Sequence, residues 1–600
     1  LDACDRLGVF VHCDLPVAEP VNHEEMGADT VLGRRCVAAI TEQVRRDRNH
    51  PSIILWSAMN ELCDGNRDAR NWPEYEEFAR ALVAAVEDAD GTRPVIENDW
   101  IEPDPDRIFV SPIMTAHWYG QLHARYFDKI EAASQKWSGT GRPFYVSEFG
   151  DWGLPQMPHL EDPPFWDTRA IYREGLALSR WPAGVGRFAT ETERYQGLSD
   201  RLQIEVWRRF DDIGGYCLTE LTDVPHELNG LLDLHRRPKP LAVTEVARAN
   251  QPVLPMLRLD SLVVRAGELL TAELHVSNDG PALAEVCIEI RFGDTAPPAP
   301  LNELLAIDAS QLDPASVADR FRESHVDVRT THLRAHAATP LGAVILEAPP
   351  VPGSHDLVVR LRAADGTEVE NRYPMHVVDV REVDGDVRVI GGDTDAAALR
   401  AVGARVGDAP GAVLVVGEEA LDAEAGRAVA DALVAGQAVV MLAQSEDAAP
   451  WFPVPVELAQ VATAWGSTVF RFTTDHGAIP SLPRRNVLVA EDSTIQATTV
   501  VSSVAGAAFP DSPVVVAFKP VPAAMAGTII GSHAVGAGRL VLCQYRLADG
   551  AAAGDAAASA ILADVVRWAV RPRPTLDRHD TRKGDGRTVR SYSWAAEAAR

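Results

Sequence analysis

The stretch Arg46–Glu61, "RDRNHPSIILWSAMNE", decides how the first part of this chain is read. It opens polar, passes Pro51, becomes an apolar run from Ile53 to Trp56, and stops on Asn60 and Glu61. An apolar run of that length predicts a buried strand covered on both faces. A buried strand that delivers an amide and a carboxylate side by side at its C-terminal end asks for a functional reason.

The same texture extends over residues 1–248. Short apolar runs (Val9–Leu15, Ile53–Asn60, Pro94–Asn98, Ile108–His117, Pro143–Glu148 and Gly215–Glu220) alternate with polar-faced helical stretches such as Glu74–Glu87 and Thr192–Phe210. Strand-helix alternation predicts a parallel sheet with helices outside. These strands fit most of a (β/α)8 TIM barrel, and by run length alone they fit an open doubly wound sheet as well.

Residues 253–380 read differently. In "LLTAELHVSNDG" Leu270, Ala272, Leu274 and Val276 alternate with polar neighbours and end on Asp279-Gly280, and "HDLVVRLRAADG" repeats the plan up to Asp365-Gly366. Period-two alternation with Asp-Gly turns predicts an antiparallel β-sandwich of immunoglobulin-like type. Residues 385–572 return to strand-helix alternation. Strand 412–417 precedes a helix with Asp422 as its cap and Gly436 past its end, then strand 437–443, and later strand 538–545 before an Ala-rich helix 551–569. That order predicts a small doubly wound α/β domain. Residues 573–600 are charged and read as a tail.

The chain has 600 residues, enough for three or four domains, and a formal net charge of -29. Such acidity argues against nucleic acid as a partner, which needs basic patches. No apolar run approaches the ~20 residues that span a bilayer, so no membrane partner is expected. The seven cysteines are scattered singly. That argues against a disulfide framework or thiolate zinc site and leans towards a reducing, cytoplasmic setting. Residue 1 is Leu and the chain opens as if inside a helix, so an upstream leader cannot be judged.

The strand ending on Asn60-Glu61 has a counterpart, "RPFYVSEFG", which ends on Glu148. In parallel α/β folds the C-terminal strand ends converge on one rim, where active sites sit. Two carboxylates there suit glycoside hydrolysis: one protonates the leaving oxygen and the other stays ionised. Either Glu alone fits a salt bridge or a helix cap equally well; the pair favours chemistry.

"RDRNHPSIILWSAMNE" closely resembles the acid/base signature of glycoside hydrolase family 2, the β-galactosidase, β-glucuronidase and β-mannosidase group. "RPFYVSEFG" resembles the family's nucleophile strand, "GGYCLTELTDV" with "ELNGLLDLHRRPKP" its eighth strand and closing segment, and "LDACDRLGVFVHCDLP" its third strand. The resemblance implies a retaining exo-β-glycosidase on a TIM barrel, most β-galactosidase-like. Glu61 then matches the general acid/base on the fourth barrel strand, Glu148 the nucleophile on the seventh, and Asn60 the residue that binds the sugar 2-hydroxyl. His117 and Tyr119 match substrate-binding positions on the sixth strand, with an edge His and a core Tyr as the plainer alternative. Asp14 ends the third strand, as binding residue or solvated cap. Asn98 and Trp100 end the fifth, where Trp100 could stack on a sugar or simply fill a core. Arg48, Asn49 and His50 read as scaffold at the opposite rim. The expected partner is a carbohydrate, with homo-oligomerisation possible; no cofactor and no catalytic metal are expected, since no His-x-x-x-His or clustered carboxylate signature appears.

Three departures from the family pattern matter. The eighth strand reads Leu218-Thr219-Glu220, so Glu220 would replace its usual substrate contacts. The Asn-x-Lys element with which β-glucuronidases hold a uronic carboxylate has Leu231 in place of Lys, which disfavours a glucuronidase. The barrel's first two strands and the preceding domains are missing, so the chain reads as a fragment of a longer protein. The C-terminal α/β domain resembles the class I glutamine-amidotransferase fold, but Cys543 lies inside a strand-like run and reads as inert. The competing function is a non-catalytic carbohydrate-binding or scaffolding protein on a decayed barrel. About 5–5.5 Å between the two carboxylates would indicate a retaining enzyme.

Overall fold

The computed structural model describes residues 1–18, 27–62, 73–99, 111–120, 122–137, 141–155, 181–224, 227–293, 325–409, 411–461, 468–519, 525–570, 576–582 and 588–594. The barrel region contains strands β1 (Val11–Asp14), β2 (Ile53–Ser57), β3 (Val95–Ile96), β4 (Met114–Trp118), β5 (Phe144–Phe149) and β6 (Ile213–Leu218). Its helices are α1 (Asp2–Leu7), α2 (Val31–Asp47), α3 (Pro73–Ala89), α4 (Ala124–Trp137), α5 (Val185–Trp207) and α6 (Pro240–Ala249). All strand pairings are parallel and fall in two sheets, β1-β2-β3 and β4-β5-β6. β2, β3, β4 and β5 are largely buried under helices, whereas β1 and β6 are only partly covered. Tyr75, Phe78, Leu82 and Val86 of α3 recur at helical spacing and share one core with Ile53 and Trp56 of β2. Ile204 and Trp207 of α5 pack with Phe144, Val146 and Phe149 of β5. Part of the run Ile108–His117 lies outside the described residues; its described part forms β4.

At the N-terminal rim, polar side chains brace the turns. The His50 ring meets Asp5 at 2.6 Å, and Arg48 donates to the Ala89 carbonyl at 2.6 Å. Trp56 Nε1 donates to Asp90 at 3.0 Å, which Arg93 also holds. These contacts place Arg48 and His50 in scaffold roles.

Two sheets follow the barrel. One orders strands 337–347, 269–278 and 253–259; the other orders 325–333, 283–292, 353–362, 368–378 and 263–265. Leu270, Ala272, Leu274 and Val276 of the first share a core with Ile288, Ile290, Val359 and Leu361 of the second.

The C-terminal region is built on a ten-stranded sheet. Strands Asp386–Ile390, Arg405–Val406, Val413–Val416, Ala438–Met441 and Gly538–Cys543 run parallel; Met525–Val535 then turns the sheet antiparallel. It is therefore a mixed sheet, parallel over five strands and antiparallel beyond them, where the sequence predicts a small doubly wound α/β domain. The Asp422 side chain caps helix Ala423–Val434 by accepting from the amides of Glu424 and Ala425. The expected helix 551–569 is broken into Ala548–Ala553 and Ala556–Val570. Gly554 adopts φ 89° at the break and Asp555 accepts from the Ala558 amide at 2.7 Å. The left-handed turn that glycine permits, followed by a good N-cap, overrides the Ala-rich helix propensity. The segment read as a tail contains an antiparallel hairpin, Leu576–Arg582 with Thr588–Trp594.

The crevice between the first parallel strands of this sheet, where open α/β folds receive ligands, is occupied by a side chain. Asp395 accepts from the Gly392 amide at 2.8 Å and the Glu418 amide at 3.0 Å. Cys543 is fully buried and burial pushes its thiol up to about 12, which makes a poor nucleophile.

Candidate active site

The backbone after β2 is fixed before any side chain reaches the rim. Asn60 N donates to the Val17 carbonyl at 2.9 Å, Glu61 N to the Asp99 carbonyl at 2.9 Å, and Asp99 N to the Met59 carbonyl at 2.8 Å. Glu61 adopts φ 48°, in the left-handed region that a non-glycine residue rarely takes. The neighbouring Asn98 side chain makes that turn possible. Its Oδ1 accepts from Leu62 N and its Nδ2 donates to the Leu62 carbonyl, each at 3.1 Å, and Nδ2 also meets the Tyr75 hydroxyl at 3.1 Å. Asn98 is wholly buried. Its amide is spent on holding Glu61's successor, so the substrate-contact role expected for it is corrected to a positioning one.

β5 brings Glu148 to the same rim, and β4 supplies the group between the two carboxylates. His117 Nδ1 lies 2.6 Å from Glu61 Oε1 and 3.4 Å from Glu148 Oε2, while Nε2 lies 3.5 Å from Asp99 Oδ1. One carboxylate oxygen of Glu61, one of Glu148 and a His117 nitrogen all lie within 4.8 Å of one another. The Tyr119 hydroxyl donates to Glu148 Oε2 at 2.5 Å.

The charges follow from these contacts. Burial disfavours a charged imidazole, but Asp99 and Glu61 outweigh it and raise His117 to about 10, so the ring carries its proton at neutral pH. Burial also works against the Asp99 carboxylate, yet His117, His12 and the Ser147 hydroxyl hold its carboxyl below the usual range. Burial pushes the Glu148 carboxyl up to about 7; His117 and Tyr119 pull against this, and Glu61 and Asp99 add to it.

The remaining expected residues divide. Asp14 sits at the end of β1 with 46% of its side chain exposed, 3.5 Å from His12 Nε2. Asn60 stands beside Glu61 with a buried Oδ1 that has no partner among the described residues. Glu220 follows β6 through a cis peptide after Thr219. Burial and the carboxylates of Glu227, Asp223 and Glu148 push it up to about 7. Trp100 lies outside the described residues. Sequence reasoning missed Asp99, His12 and Ser147. Asp99 stands between the named Asn98 and Trp100, and its pairing with His117 has no local signature.

Three side-chain sets among the described residues could offer a cation three ligand atoms: Glu61, His117 and Glu148; His12, Asp14 and Asp99; and, at the opposite rim, Asp2, Asp5 and His50. In the first, ligation would require His117 to release a proton that Asp99 and Glu61 hold. Among the described residues no helix is long and apolar enough to cross a membrane.

Residues 1–180 match the family model described as "Glycosyl hydrolases family 2, TIM barrel domain". The beta-glucuronidase of Mus musculus is 28% identical over 173 residues, covering 27% of this chain and 25% of that protein. The beta-mannosidase of Bos taurus is 27% identical over 206 residues, covering 30% and 21%. The beta-galactosidase of Aeromonas hydrophila is 28% identical over 279 residues, covering 44% and 23%. The chain thus spans about a quarter of the length of the curated relatives it matches. The matched segment carries the strands that end on Glu61 and Glu148, and over it the chain is similar to the TIM barrel domain of the glycosyl hydrolases of family 2.

Proposed function

We propose that the site is that of a retaining exo-β-glycosidase working by double displacement. The observation that carries this reading is that one carboxylate oxygen of Glu61 and one of Glu148 lie within 4.8 Å of each other. Retaining enzymes hold their carboxyl groups about 5–5.5 Å apart, whereas inverting ones leave roughly 6.5–9.5 Å for a water. Glu148 attacks the anomeric carbon as Glu61 gives its proton to the departing oxygen, leaving a glycosyl ester. Glu61 then takes a proton from water, whose oxygen displaces Glu148. Tyr119 donates to Glu148, the His117 cation bonded to Glu61 lies 3.4 Å from it, and Asn60 Oδ1 accepts from a sugar hydroxyl. The His117 cation is already matched by Asp99 and Glu61, and the other described charged groups near the pair, Glu220 among them, are acidic. They would repel a uronic carboxylate, and Lys239 is turned inward onto Asp223 at 2.6 Å. A neutral terminal hexose, β-galactoside first, fits better. We read the two sheets of residues 253–380 as a β-sandwich and the C-terminal domain as a non-catalytic accessory.

One observation favours a second reading with the roles exchanged. Glu148 holds its proton up to about 7, while Glu61 lies 2.6 Å from the His117 cation. A raised carboxyl is the mark of the acid. Azide decides between them. A panel of activated aryl β-glycosides is offered to the wild type, then to Glu148→Ala and Glu61→Ala with azide. Loss of the nucleophile permits one direct displacement and an inverted glycosyl azide. Loss of the acid/base leaves two displacements and a retained one. Glu148→Ala is expected to give the inverted product. A retained product from Glu148→Ala assigns the exchanged roles, and a wild type that cleaves none of the panel sinks the glycosidase reading.

A further inference from the structure

The loop that follows Glu148 is tied to the C-terminal domain. Residues 149–155 are all buried, so each amide there needs a partner. Asp151 N donates to Asp200 Oδ1 of α5 at 2.9 Å, and Leu154 N to Thr192 Oγ1 of the same helix at 2.9 Å. Gly153 N donates to the Leu228 carbonyl at 3.0 Å. Trp152 N is shared between Asp151 Oδ1 at 2.9 Å and Thr468 Oγ1 at 3.2 Å. The Thr468 hydroxyl in turn donates to Asp151 Oδ1. Thr468 thus closes a ring of hydrogen bonds on residues three and four beyond Glu148, although it lies 317 residues from Asp151 in the chain.

Thr468 is itself rigidly mounted. The adjoining strand Phe470–Thr473 packs Phe470 against Phe188 and Tyr195 of α5, with ring centroids 5.5 and 5.9 Å apart. Arg471 on that strand pairs with the buried Asp492, which also accepts from the Tyr545 hydroxyl. A two-point contact from a braced strand restricts the loop's position and tilt, and with them the Glu148 side chain.

We propose that the C-terminal α/β domain takes part in the reaction through this contact, with Thr468 and its partner Asp151 as positioning residues for Glu148. The inference rests on the glycosidase reading for its consequence and on geometry alone for the clamp. An active carboxylate must be held within a fraction of an ångström, and a displacement of about 1 Å can cost on the order of a hundredfold in rate.

The test uses the full chain carrying Thr468→Val, which keeps the side-chain shape and removes the hydroxyl, beside Thr468→Ser, which restores it. Thr468→Ala serves if the valine variant does not fold. Arg187→Ala is the control, since it removes an exposed bond across the same interface, to Asn486, without touching the loop. Amide hydrogen exchange is read at residues 147–154, and turnover on an aryl β-glycoside is measured in parallel. Thr468→Val is expected to exchange faster at 147–154 and to lose roughly tenfold or more in kcat with KM little changed. Thr468→Ser should restore both, and Arg187→Ala should change neither. Unchanged exchange at 147–154 overturns the clamp whatever the activity. Faster exchange with unchanged kcat, or no recovery in the serine variant, overturns the positioning role. A wild type without turnover fails the glycosidase reading and takes the positioning role with it, while exchange still judges the clamp.

Discussion

Glu148 is held between opposing effects. Burial raises its carboxyl to about 7, and the Tyr119 hydroxyl, donating at 2.5 Å, favours the charged form. The sign of the pH dependence follows. As nucleophile Glu148 must be ionised, so kcat/KM should rise with pH through about 7; as acid it must be protonated, so kcat/KM should fall there. Tyr119→Phe removes a donor to the carboxylate and so raises the carboxyl further. A hydrogen bond to a charged group is worth about 1.5–3 kcal/mol, which is roughly one to two pH units. The limb assigned to Glu148 should therefore move to higher pH in Tyr119→Phe. A pH profile of kcat/KM on an activated substrate reads this directly, and an unmoved limb would mean that it belongs to another group.

At the scale of elements, the turn after β2 depends on one buried amide. Asn98 satisfies both backbone groups of Leu62, immediately after the strained Glu61. Asn98→Ala leaves those groups buried without partners, and an unmade buried hydrogen bond costs about 1–3 kcal/mol. Denaturant titration should show the barrel destabilised by about that amount. Turnover should fall with it, because Glu61 loses the constraint that holds it at positive φ. Full stability in Asn98→Ala would show that water replaces the amide or that the turn stands alone. Asn98→Asp separates the two effects: it keeps the acceptor for Leu62 N and loses the donor to the Leu62 carbonyl.

Across the whole molecule, the two barrel sheets present outer edges. Among the described residues β1 pairs only with β2, and β6 only with β5. The approach to β1 is apolar and open to solvent, with Leu7 77% and Phe10 74% exposed. An unpaired edge flanked by apolar side chains is a template for association. The chain should therefore self-associate with rising concentration, and the double variant Leu7→Lys, Phe10→Lys should shift it towards monomer. Sedimentation velocity over a range of concentrations reads this. An unaltered distribution in the double variant would place the association elsewhere.

Local patterns marked what depends on near neighbours in the chain. The apolar run Ile53–Trp56 forms a strand that is buried except at Ile54, which is 46% exposed, so the cover expected on both faces is incomplete. Asn60 and Glu61 stand at its end because a strand carries its residues forward in a fixed order. The alternation at Leu270, Ala272, Leu274 and Val276 is the alternation of burial there, and Asp422 caps its helix as such a residue can within one turn. Tertiary structure decided the rest. His117 becomes a cation because Asp99 and Glu61 arrive from two other strand ends, and Asn98 turns away from the rim because Leu62 needs its amide. Gly554 breaks a helix that composition alone would continue. Thr468 reaches Asp151 across 317 residues. Hydrophobic period and turn chemistry act over a few residues, so they are written in the sequence order. Charge states and hydrogen-bond partners inside a low-dielectric interior depend on which distant groups the packed chain brings within a few ångströms.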